Sequence, residues 1–266
     1  MAGGRGPLNV GEDDLTSNET QTKDGAIVVQ DRDCLRYVTI AREARANALS
    51  ISMLRSLADA VTSAGQTAGV EAVVLAAAGT GNFCAGADMS ELKTHRREQY
   101  DALRRTIDAL ARRPVPVISI LHGKTLGAGC LLPALSDVVI APDDAVLGFP
   151  EMRFGMYPAL LHAVLVERLP ATLVSALCVG ARFLSAHDAL VLGLVTEVLP
   201  AVDFALSSRE RLAFYAARVP AIRLGREMLT GTAACDLGER VDRAEQIIER
   251  NLALPDVDAM LGRYRK

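Results

Sequence analysis

The sequence contains no tryptophan, few other aromatic residues, no long apolar segment and no excess of basic residues. No apolar run reaches the ~20 residues that a membrane-spanning helix needs, so we expect no membrane partner. Lysine and arginine number 29 against 32 acidic residues, which gives a net charge of −3. Proteins that bind nucleic acids usually carry a marked basic excess or a basic stripe, so we expect no nucleic-acid partner either.

The cysteines lack the spacing of metal ligands. They are odd in number and form no Cys-x-x-Cys pair; they are Cys34, Cys84, Cys130, Cys178 and Cys235. This usage is typical of small buried thiols in a reducing compartment, and it predicts no zinc site. The first residues lack the apolar core of a signal peptide, and we therefore expect a cytoplasmic location.

Half of the 266 residues are apolar, which is enough for a substantial core, and the pattern changes twice along the chain. Residues 1–22 are rich in small and polar residues, which predicts a disordered tail. Residues 23–202 alternate strand-like and helix-like segments, which is typical of the α/β class. Residues 203–266 contain helical patterns and no strand candidate.

The predicted elements follow from apolar periodicity and from turn and capping residues. The predicted strands are Ala26–Gln30, Leu35–Ile40, Glu71–Ala77, Val117–Leu121 and Asp137–Ala141, with a hairpin turn at Asp31–Asp33. The predicted helices are Ser50–Ala64, Arg97–Arg112, Gly127–Leu135, Asp203–Arg218, Ala221–Thr230 and Asp236–Leu254. Ser50 is expected to cap the first helix.

Two glycine-containing loops stand out as candidate ligand sites. The first, Asn82–Asp88, follows a predicted strand, and its small residues allow a ligand to approach the backbone closely. The second, His122–Cys130, runs from a strand into a helix, where the first N–H groups have no partner within the helix. Such groups suit an anion or a developing oxyanion. Each loop by itself is equally compatible with a tight turn that needs glycine.

Taken together, several segments resemble the enoyl-CoA hydratase/isomerase (crotonase) superfamily in order, spacing and local sequence. They are REARANAL at 42–49, FCAGADMSEL at 83–92, HGKTLGAGCLLPALSDVVIA at 122–141, LGFPEMRFGMYP at 147–158 and ARFLSAHDALVLGLVTEVLP at 181–200. The resemblance extends from about Gly25 to Met260. It implies an α/β spiral of ββα units, followed by a C-terminal helical trimerisation region over residues 203–266.

The resemblance also implies a ligand and an assembly. We expect an acyl-CoA thioester as substrate, no cofactor apart from the coenzyme A of that substrate, and a homo-trimer or homo-hexamer. The helices after Asp203 carry the apolar residues expected to hold the oligomer together. These are Leu206, Leu212, Ala213, Leu224 and Met228.

The resemblance assigns catalytic roles to three positions. The N–H groups of Ala87 and Ala128 match the two donors that polarise the thioester carbonyl in the family. Ala128 departs from the usual glycine and therefore requires a backbone conformation that a Cβ tolerates. Glu151 matches one of the two glutamates of family hydratases, whereas the position of the other glutamate is Leu131.

Further positions match the family's substrate-binding segments. They are Arg45, Ala46, Ala48, Ala85, Gly86, Asp88, Met89, Gly127, Leu131 and Phe154. Two alternatives stay open, because Asp88 is equally suited to capping the helix that follows it and Arg45 to being a solvated arginine. Glu151 in turn has the alternative of a surface glutamate paired with Arg153. Met152 and Met156 are expected, with Phe154, to surround Glu151 and line the pocket.

A single carboxylate opposite an oxyanion hole is the arrangement of the family's enoyl-CoA isomerases, so the sequence favours isomerase-like proton transfer. Hydration of a 2-enoyl-CoA is the alternative within the family. A non-catalytic acyl-CoA binder, or a subunit that only completes an oligomer, is the alternative from another class. A hydrolase built on Ser119, Ser136 and His122 is disfavoured, since no nucleophile-elbow motif is present.

Overall fold

The computed structural model describes residues 25–219 and, beyond them, positions 222, 237, 238, 241, 242, 245, 246, 248, 249 and 252. The predicted tail at 1–22 lies outside the described residues. So do most of the last two predicted helices, including Leu224 and Met228. The disordered tail and the trimerisation region therefore remain predictions.

Within the described residues, ten strands form two sheets. They are β1 (Ala26–Arg32), β2 (Leu35–Ala41), β3 (Ala72–Ala77), β4 (Asn82–Cys84), β5 (Val117–Ile120), β6 (Lys124–Leu126), β7 (Val138–Pro142), β8 (Val146–Gly148), β9 (Phe183–Ser185) and β10 (Glu197–Leu199). The larger sheet has the order β1-β2-β3-β5-β7-β10 and is parallel except for the β1-β2 hairpin. The smaller sheet has the order β4-β6-β8-β9, in which only the β8-β9 pair is antiparallel.

Eight α-helices occur in the same part of the chain. They are α1 (Ile51–Ala64), α2 (Met89–Thr94), α3 (Arg96–Ala111), α4 (Leu131–Ala134), α5 (Ala159–Leu165), α6 (Ala171–Val179), α7 (Ala186–Val191) and α8 (Phe204–Ala216). Four short 3₁₀ segments are Glu43–Arg45, Gly127–Cys130, Pro150–Phe154 and Ala201–Asp203. None of the helices traced between 25 and 219 combines the length and the apolar character needed to cross a bilayer.

The chain repeats one unit: a strand in the larger sheet, a short strand in the smaller sheet, and then a helix. The successive units are β3-β4-α2, β5-β6-α4 and β7-β8-α5. Each repeat of this unit therefore adds one strand to each of the two sheets. The predicted spiral of ββα units is confirmed.

The central strands of the larger sheet are buried on both faces, as is usual for a parallel sheet covered by helices. In β3, Val73 and Leu75 belong to the main core, which includes α1 and α3, whereas Ala72 and Val74 face a second core. The second core also contains Phe204 from the start of α8. Side chains of a strand alternate between faces, so one continuous apolar run supplies both cores.

Helix α1 begins directly after Ser50, as expected from the capping role predicted for that residue. The side chain of Ser50 accepts a hydrogen bond from the backbone N–H of Met53 at 3.3 Å. This bond satisfies one of the N–H groups that the first turn leaves without a partner. The predicted N-cap is confirmed.

The predicted hairpin turn at Asp31–Asp33 is wrong in its position. Asp31 and Arg32 still belong to β1 and pair with β2, and the turn consists of Asp33 and Cys34. Both turn residues have positive φ, at 46° and 65°. A two-residue hairpin loop needs this conformation to match the twist of its strands. The sequence did not reveal it, because neither turn residue is glycine or asparagine.

The predicted helix at Asp203–Arg218 is confirmed as α8. Leu212 is 5% exposed and packs in the second core, whereas Leu206 is 63% exposed. Ala213, next to Leu212, is also exposed. Leu206 and Ala213, which are seven residues apart on one face of the helix, therefore stay uncovered in the single chain, and their role in an oligomer remains a prediction.

Candidate active site

The smaller sheet brings the predicted site residues together. Its strands β4, β6 and β8 are adjacent and parallel, so their carboxyl ends lie at one edge. The loop at 85–88 follows β4, the 3₁₀ segment Gly127–Cys130 follows β6, and the 3₁₀ segment Pro150–Phe154 lies just after β8. Ala87, Ala128 and Glu151 thus come from three neighbouring strand ends.

The backbone N–H of Ala87 points away from Leu49, whose backbone hydrogen-bonds to the residues on both sides of Ala87. The N–H of Leu49 donates to the carbonyl of Gly86 at 2.8 Å, and the N–H of Asp88 donates to the carbonyl of Leu49 at 2.9 Å. In a trans peptide the C=O and N–H groups point in opposite directions. Because the Gly86 carbonyl faces Leu49, the N–H of Ala87 faces the other side, where Ala87 lines a cavity.

The N–H of Ala128 lies at the start of a helical segment. Ala128 is the second residue of the 3₁₀ segment Gly127–Cys130, where N–H groups have no acceptor within the helix. The positive φ of this loop, 52°, falls on Gly127, and Ala128 itself is not among the residues with positive φ. The expected condition, a conformation that tolerates a Cβ at Ala128, is met.

The two loops touch at Gly86, which has a φ of 101°. A Cβ added there would lie 3.1 Å from the carbonyl oxygen of Leu126 and 3.4 Å from the backbone nitrogen of Ala128. Glycine suits this position because it adopts a positive φ readily and has no Cβ to prevent the close approach of the two backbones. This contact brings the backbones around Ala87 and Ala128 close together.

The carboxylate of Glu151 lies against the same backbone. A Cβ on Gly127 would be 3.0 Å from Oε1 of Glu151, while Oε2 is buried and makes no hydrogen bond to any described residue. Burial raises the pKa of Glu151 to about 7. A carboxylate in an apolar setting keeps its proton to higher pH, which brings the group into the range of a general base near neutrality.

The structure does not contain the ion pair between Glu151 and Arg153 that was the alternative interpretation of Glu151. The guanidinium of Arg153 stacks over the ring of Phe183, 4.7 Å from its centroid. Among the residues from 25 to 219, the ion pairs do not include Glu151. Within the part of the chain that the structure describes, Glu151 is therefore an unpaired carboxylate.

A cavity of about 440 Å³ connects these groups. Nine of the predicted site residues line it, namely Ala85, Gly86, Ala87, Met89, Gly127, Ala128, Leu131, Glu151 and Phe154. Leu131 is only 2% exposed, and Met156 also lines the wall. The expectation for Met152 is wrong: its side chain is 36% exposed and lies outside the lining, because it is on the outer side of the 3₁₀ segment.

Four predicted substrate-binding residues lie outside the cavity lining: Arg45, Ala46, Ala48 and Asp88. Arg45 is an exposed residue at the end of the 3₁₀ segment Glu43–Arg45. The backbone carbonyls of Ala46 and Ala48 accept hydrogen bonds from the Ala85 N–H and from the Arg42 side chain. Coenzyme A contacts by the first three residues remain predictions.

Asp88 is a helix cap. Its side chain accepts a hydrogen bond from the backbone N–H of Ser90 at 2.8 Å, at the start of α2, and pairs with Arg42 at 2.6 Å. Burial by itself would raise the pKa of Asp88, but the hydrogen bonds from Ser90 and Arg42 hold it below the ordinary value. Of the two alternatives for Asp88, a helix cap or a residue of the substrate pocket, the structure shows the helix cap.

One buried polar residue that braces the first loop, Asn47, was missed as such by sequence reasoning. The side chain of Asn47 accepts from the N–H of Arg42 at 2.8 Å and donates to the carbonyls of Ala78 and Asn82. The residue adopts a positive φ of 56°, which asparagine tolerates better than most residues. The signal was present in REARANAL, whose polar residues were interpreted only as part of a coenzyme A site.

The residues suggested for a hydrolase do not form a nucleophile and base. Ser119 and Ser136 are fully buried and hydrogen-bond to each other at 2.7 Å. The Nε2 atom of His122 has no hydrogen-bond partner in the described part of the chain. The same part contains no cluster of three residues suited to a metal ion.

Comparison with known proteins decides the family. The model of the enoyl-CoA hydratase/isomerase family matches residues 31–245. The chain belongs to this family. The chain is similar to the short-chain-enoyl-CoA hydratase of Clostridium acetobutylicum, with 27% identity over 79% of this chain and 83% of the relative. It is also similar to human enoyl-CoA hydratase domain-containing protein 3, mitochondrial, with 26% identity over 84% and 76%.

Solved structures agree with the enoyl-CoA hydratase/isomerase fold. An enoyl-CoA hydratase from Mycobacterium avium subsp. paratuberculosis superposes with a TM-score of 0.81 at 23% identity, over 91% of this chain and 99% of that one. A carnitinyl-CoA hydratase from Mycobacterium avium gives 0.75 at 24% identity, over 90% and 94%. The predicted superfamily and the predicted fold class are both confirmed.

Proposed function

We propose that the protein is an enzyme that shifts the double bond of an unsaturated acyl-CoA by proton transfer. The observation that carries the proposal is a single buried carboxylate, Glu151, beside the N–H groups of Ala87 and Ala128. Leu131 lines the same cavity at the position where family hydratases have their other glutamate. The reaction requires no cofactor apart from the coenzyme A of the substrate.

In the proposed reaction, Glu151 removes a proton from C2 of a 3-enoyl thioester. The electron pair of that C–H bond forms the C2–C1 double bond of an enolate, whose oxygen accepts hydrogen bonds from Ala87 and Ala128. Collapse of the enolate makes the C2–C3 double bond, and the C3–C4 pair takes the proton from Glu151 at C4. The product is a 2-enoyl thioester, and neither water nor an external acid is consumed.

The two N–H groups stabilise the enolate oxygen, and the carboxylate transfers the proton. The N–H groups are fixed by the backbone and need no reorganisation when charge develops on the oxygen. A pKa of about 7 keeps much of Glu151 ionised near neutrality while leaving it basic enough to accept a proton. The apolar wall, including Leu131 and Phe154, excludes water that would compete for the enolate.

Hydration is the second candidate, and it is favoured by the similarity to relatives that are named as hydratases. Hydration requires a water molecule held in a defined position against the double bond. The buried apolar side chain of Leu131 offers that water no hydrogen bond. We therefore place proton transfer first and hydration second.

The Leu131→Glu variant is expected to raise the ratio of hydration to isomerisation by about tenfold or more, because it restores a second carboxylate that orients water. The native protein and the variant are assayed side by side with crotonyl-CoA and a 3-enoyl-CoA, with deuterium incorporation at C2 as an independent record of proton transfer. Leu131→Gln is the control, since it matches the shape of glutamate without its acid–base chemistry.

Burying a new carboxylate at Leu131 costs several kcal/mol unless it is hydrogen-bonded, so thermal unfolding of both variants accompanies the assays. Efficient hydration of crotonyl-CoA by the native protein, faster than the double-bond shift, would overturn the isomerase proposal and leave the hydratase.

We also propose a homo-trimer or homo-hexamer. Support comes from apolar side chains in and beside α8 that remain exposed in the single chain: Val202 at 87%, Leu206 at 63% and Phe214 at 41%. A second copy of the chain packed against α8 would cover these side chains. Sedimentation velocity at micromolar concentration should show a trimer or a larger species, and a monomer would refute the assembly.

A further inference from the structure

The buried ion pair between Arg42 and Asp88 has no role in the proposed reaction, yet it adjoins one of the two oxyanion donors. Asp88 directly follows Ala87 in the chain, and Arg42 directly follows strand β2. The Nη1 atom of Arg42 donates to Oδ2 of Asp88 at 2.6 Å. The two side chains are only 8% and 10% exposed, so solvent screens their charges little.

The same Nη1 atom of the arginine also holds the segment that lies beside the first oxyanion loop. It donates to the backbone carbonyl of Ala48 at 3.0 Å. The next residue, Leu49, donates its N–H to the carbonyl of Gly86 and accepts from the N–H of Asp88. One guanidinium nitrogen therefore connects the residue before Leu49 to the residue after Ala87.

Arg42 is itself held in place by its surroundings. Its backbone N–H donates to Oδ1 of Asn47 at 2.8 Å, and its carbonyl accepts from the N–H groups of Arg45 and Asn47. Its side-chain carbons lie against Gly25, where an added Cβ would be 2.5 Å from Cγ of Arg42. The arginine thus connects the oxyanion loop to the end of β2 in the larger sheet.

The backbone pairing that orients the Ala87 N–H is short. The segments 46–49 and 85–88 are joined by hydrogen bonds from the Ala85 N–H to the Ala46 carbonyl and by the two bonds of Leu49. The ends of such a pairing open more readily than its middle. The Ala87 N–H lies next to one end, and the ion pair closes that end.

Stability alone is a poor reason for a buried ion pair, because the loss of hydration can offset the attraction of the two charges. Apolar residues of similar volume often stabilise a protein as well or better. A guanidinium that donates to a carboxylate and to a carbonyl instead fixes the relative position of both groups. Such accuracy matters in an oxyanion hole, since a displacement of about 1 Å can lower turnover by ~10²-fold.

We propose that Arg42 is a positioning residue, which acts through Asp88 to hold the N–H of Ala87 where the enolate oxygen forms. Neither Arg42 nor Asp88 lines the cavity, so the pair acts on the backbone of the loop and not on the substrate. The proposal rests on the proposed function, which assigns the N–H of Ala87 to the thioester oxygen. It adds that a buried charge pair, and not the backbone alone, keeps this donor in place.

The deciding variant combines Arg42→Met with Asp88→Asn and removes both charges. Asparagine caps a helix as well as aspartate does, so the hydrogen bond from the Ser90 N–H is kept. Methionine fills irregular space in a core. Each single variant leaves a buried charge without its partner, so the double variant should be more stable than either of them. Thermal unfolding of the three variants measures this order.

Turnover should not recover with stability in the double variant. With a 3-enoyl-CoA at saturating concentration, it should be about tenfold or more below the native value, because the donor is no longer held in place. Affinity for a saturated acyl-CoA should change by less than about threefold, since the donor matters most when charge has developed. A merely structural ion pair would instead give turnover that rises and falls with stability across the three variants.

The thioester carbonyl provides a spectroscopic readout that needs no turnover. A hydrogen bond from an N–H group lowers the stretching frequency of a C=O bond. Infrared difference spectra of a saturated acyl-CoA, with and without a carbon-13 label at the carbonyl, isolate this band. The band should lie at lower frequency on the native protein than in buffer, and it should move back towards the buffer value and broaden in the double variant.

Asp31→Asn is the control, since it breaks an ion pair of the same type, with Arg36, on the β1-β2 hairpin. Both residues lie outside the cavity lining. Turnover and the carbonyl band of this variant should equal those of the native protein, whatever the change in its stability.

The outcomes separate this proposal from the proposed function. Native turnover and a native carbonyl band in the double variant would overturn the positioning role and leave the isomerase. A band that moves in the double variant of a protein without turnover would support the positioning role and refute the isomerase. A native band at the buffer frequency would show that no N–H group polarises the carbonyl, and both proposals would fail.

Discussion

Replacing Glu151 by glutamine is expected to lower turnover of a 3-enoyl-CoA by ~10²–10⁴-fold, the usual contribution of a positioned general base. Glutamine has nearly the same shape and fills the same space beside Gly127, but it cannot accept the C2 proton. Because the N–H groups of Ala87 and Ala128 are unchanged, affinity for a saturated acyl-CoA should change little. Steady-state kinetics and titration calorimetry on the same preparation measure the two quantities.

The matched control is Glu98→Gln, the same change at an exposed glutamate on α3. Its turnover should equal that of the native protein. If Glu151→Gln retained near-native turnover while Glu98→Gln behaved as expected, Glu151 would have no part in the mechanism. The proposed function would then lose its base.

The pH dependence provides a second readout for Glu151. Its pKa of about 7 means that the ionised base is depleted below that value, so kcat/KM should rise with pH and level off above it.

In the unfolded chain the group has an ordinary pKa of about 4.3. The folded protein therefore binds more protons between these two values, and the contribution of Glu151 to stability falls as pH rises through that window.

At pH 8 the ionised, buried Glu151 should make the native protein less stable than the glutamine variant. The difference is on the order of 3 kcal/mol from the shift in pKa, as an upper figure. Denaturant unfolding at pH 8 and at pH 4.5 measures it, and the difference should shrink at the lower pH. A variant more stable and less active than the native protein also excludes misfolding as the cause of lost turnover.

Replacing Ala128 by proline is expected to lower turnover by ~10²–10³-fold, as the loss of one oxyanion donor does in comparable sites. Proline removes the N–H that we assign to the enolate oxygen and places its Cδ where the hydrogen was, beside the carbonyl oxygen of a bound thioester. Its fixed φ suits a 3₁₀ segment, and the preceding residue, Gly127, has no Cβ for the ring to strike. Affinity for a saturated acyl-CoA should also fall, because the proline Cδ crowds the bound carbonyl oxygen, so turnover is compared at saturating substrate.

Ala128→Gly is the control, since it changes the same side chain but keeps the N–H group. It should retain most of the turnover and restores the residue usual in the family. Equal losses in the proline and glycine variants would show that the side chain or the local fold matters, and the N–H would not be the donor. Circular dichroism and thermal unfolding of both variants verify that the fold is kept.

Much of this architecture was predictable from local signals. The capping serine at Ser50 fixed the start of α1, and the fully apolar run at 71–77 marked a central strand. Glu151 and Leu131 could be identified because their segments match a family motif, and the cavity contains both. Short-range patterns suffice for such features, since a cap or a buried strand is determined by residues close in sequence.

The assembly of the site was not predictable in this way. Strands β4, β6 and β8 have three residues each, too few to show any periodicity, and their pairing joins segments about 20 to 40 residues apart. The predicted elements contained none of these strands. Yet their parallel alignment is what sets Ala87, Ala128 and Glu151 side by side.

By itself, the sequence determined the segments to which we assign the chemistry, because motif and composition are local properties. These are two glycine-containing loops, one glutamate, and a leucine where hydratases have an acid. Only the tertiary structure decided the pKa of Glu151, since burial depends on side chains distant in sequence. It also decided that Asp88 pairs with Arg42 and lies outside the cavity lining. Finally, it buried Gln99 and Tyr100 beside the cavity, which no pattern along α3 specifies, because the pattern shows that a residue is buried and not what it packs against.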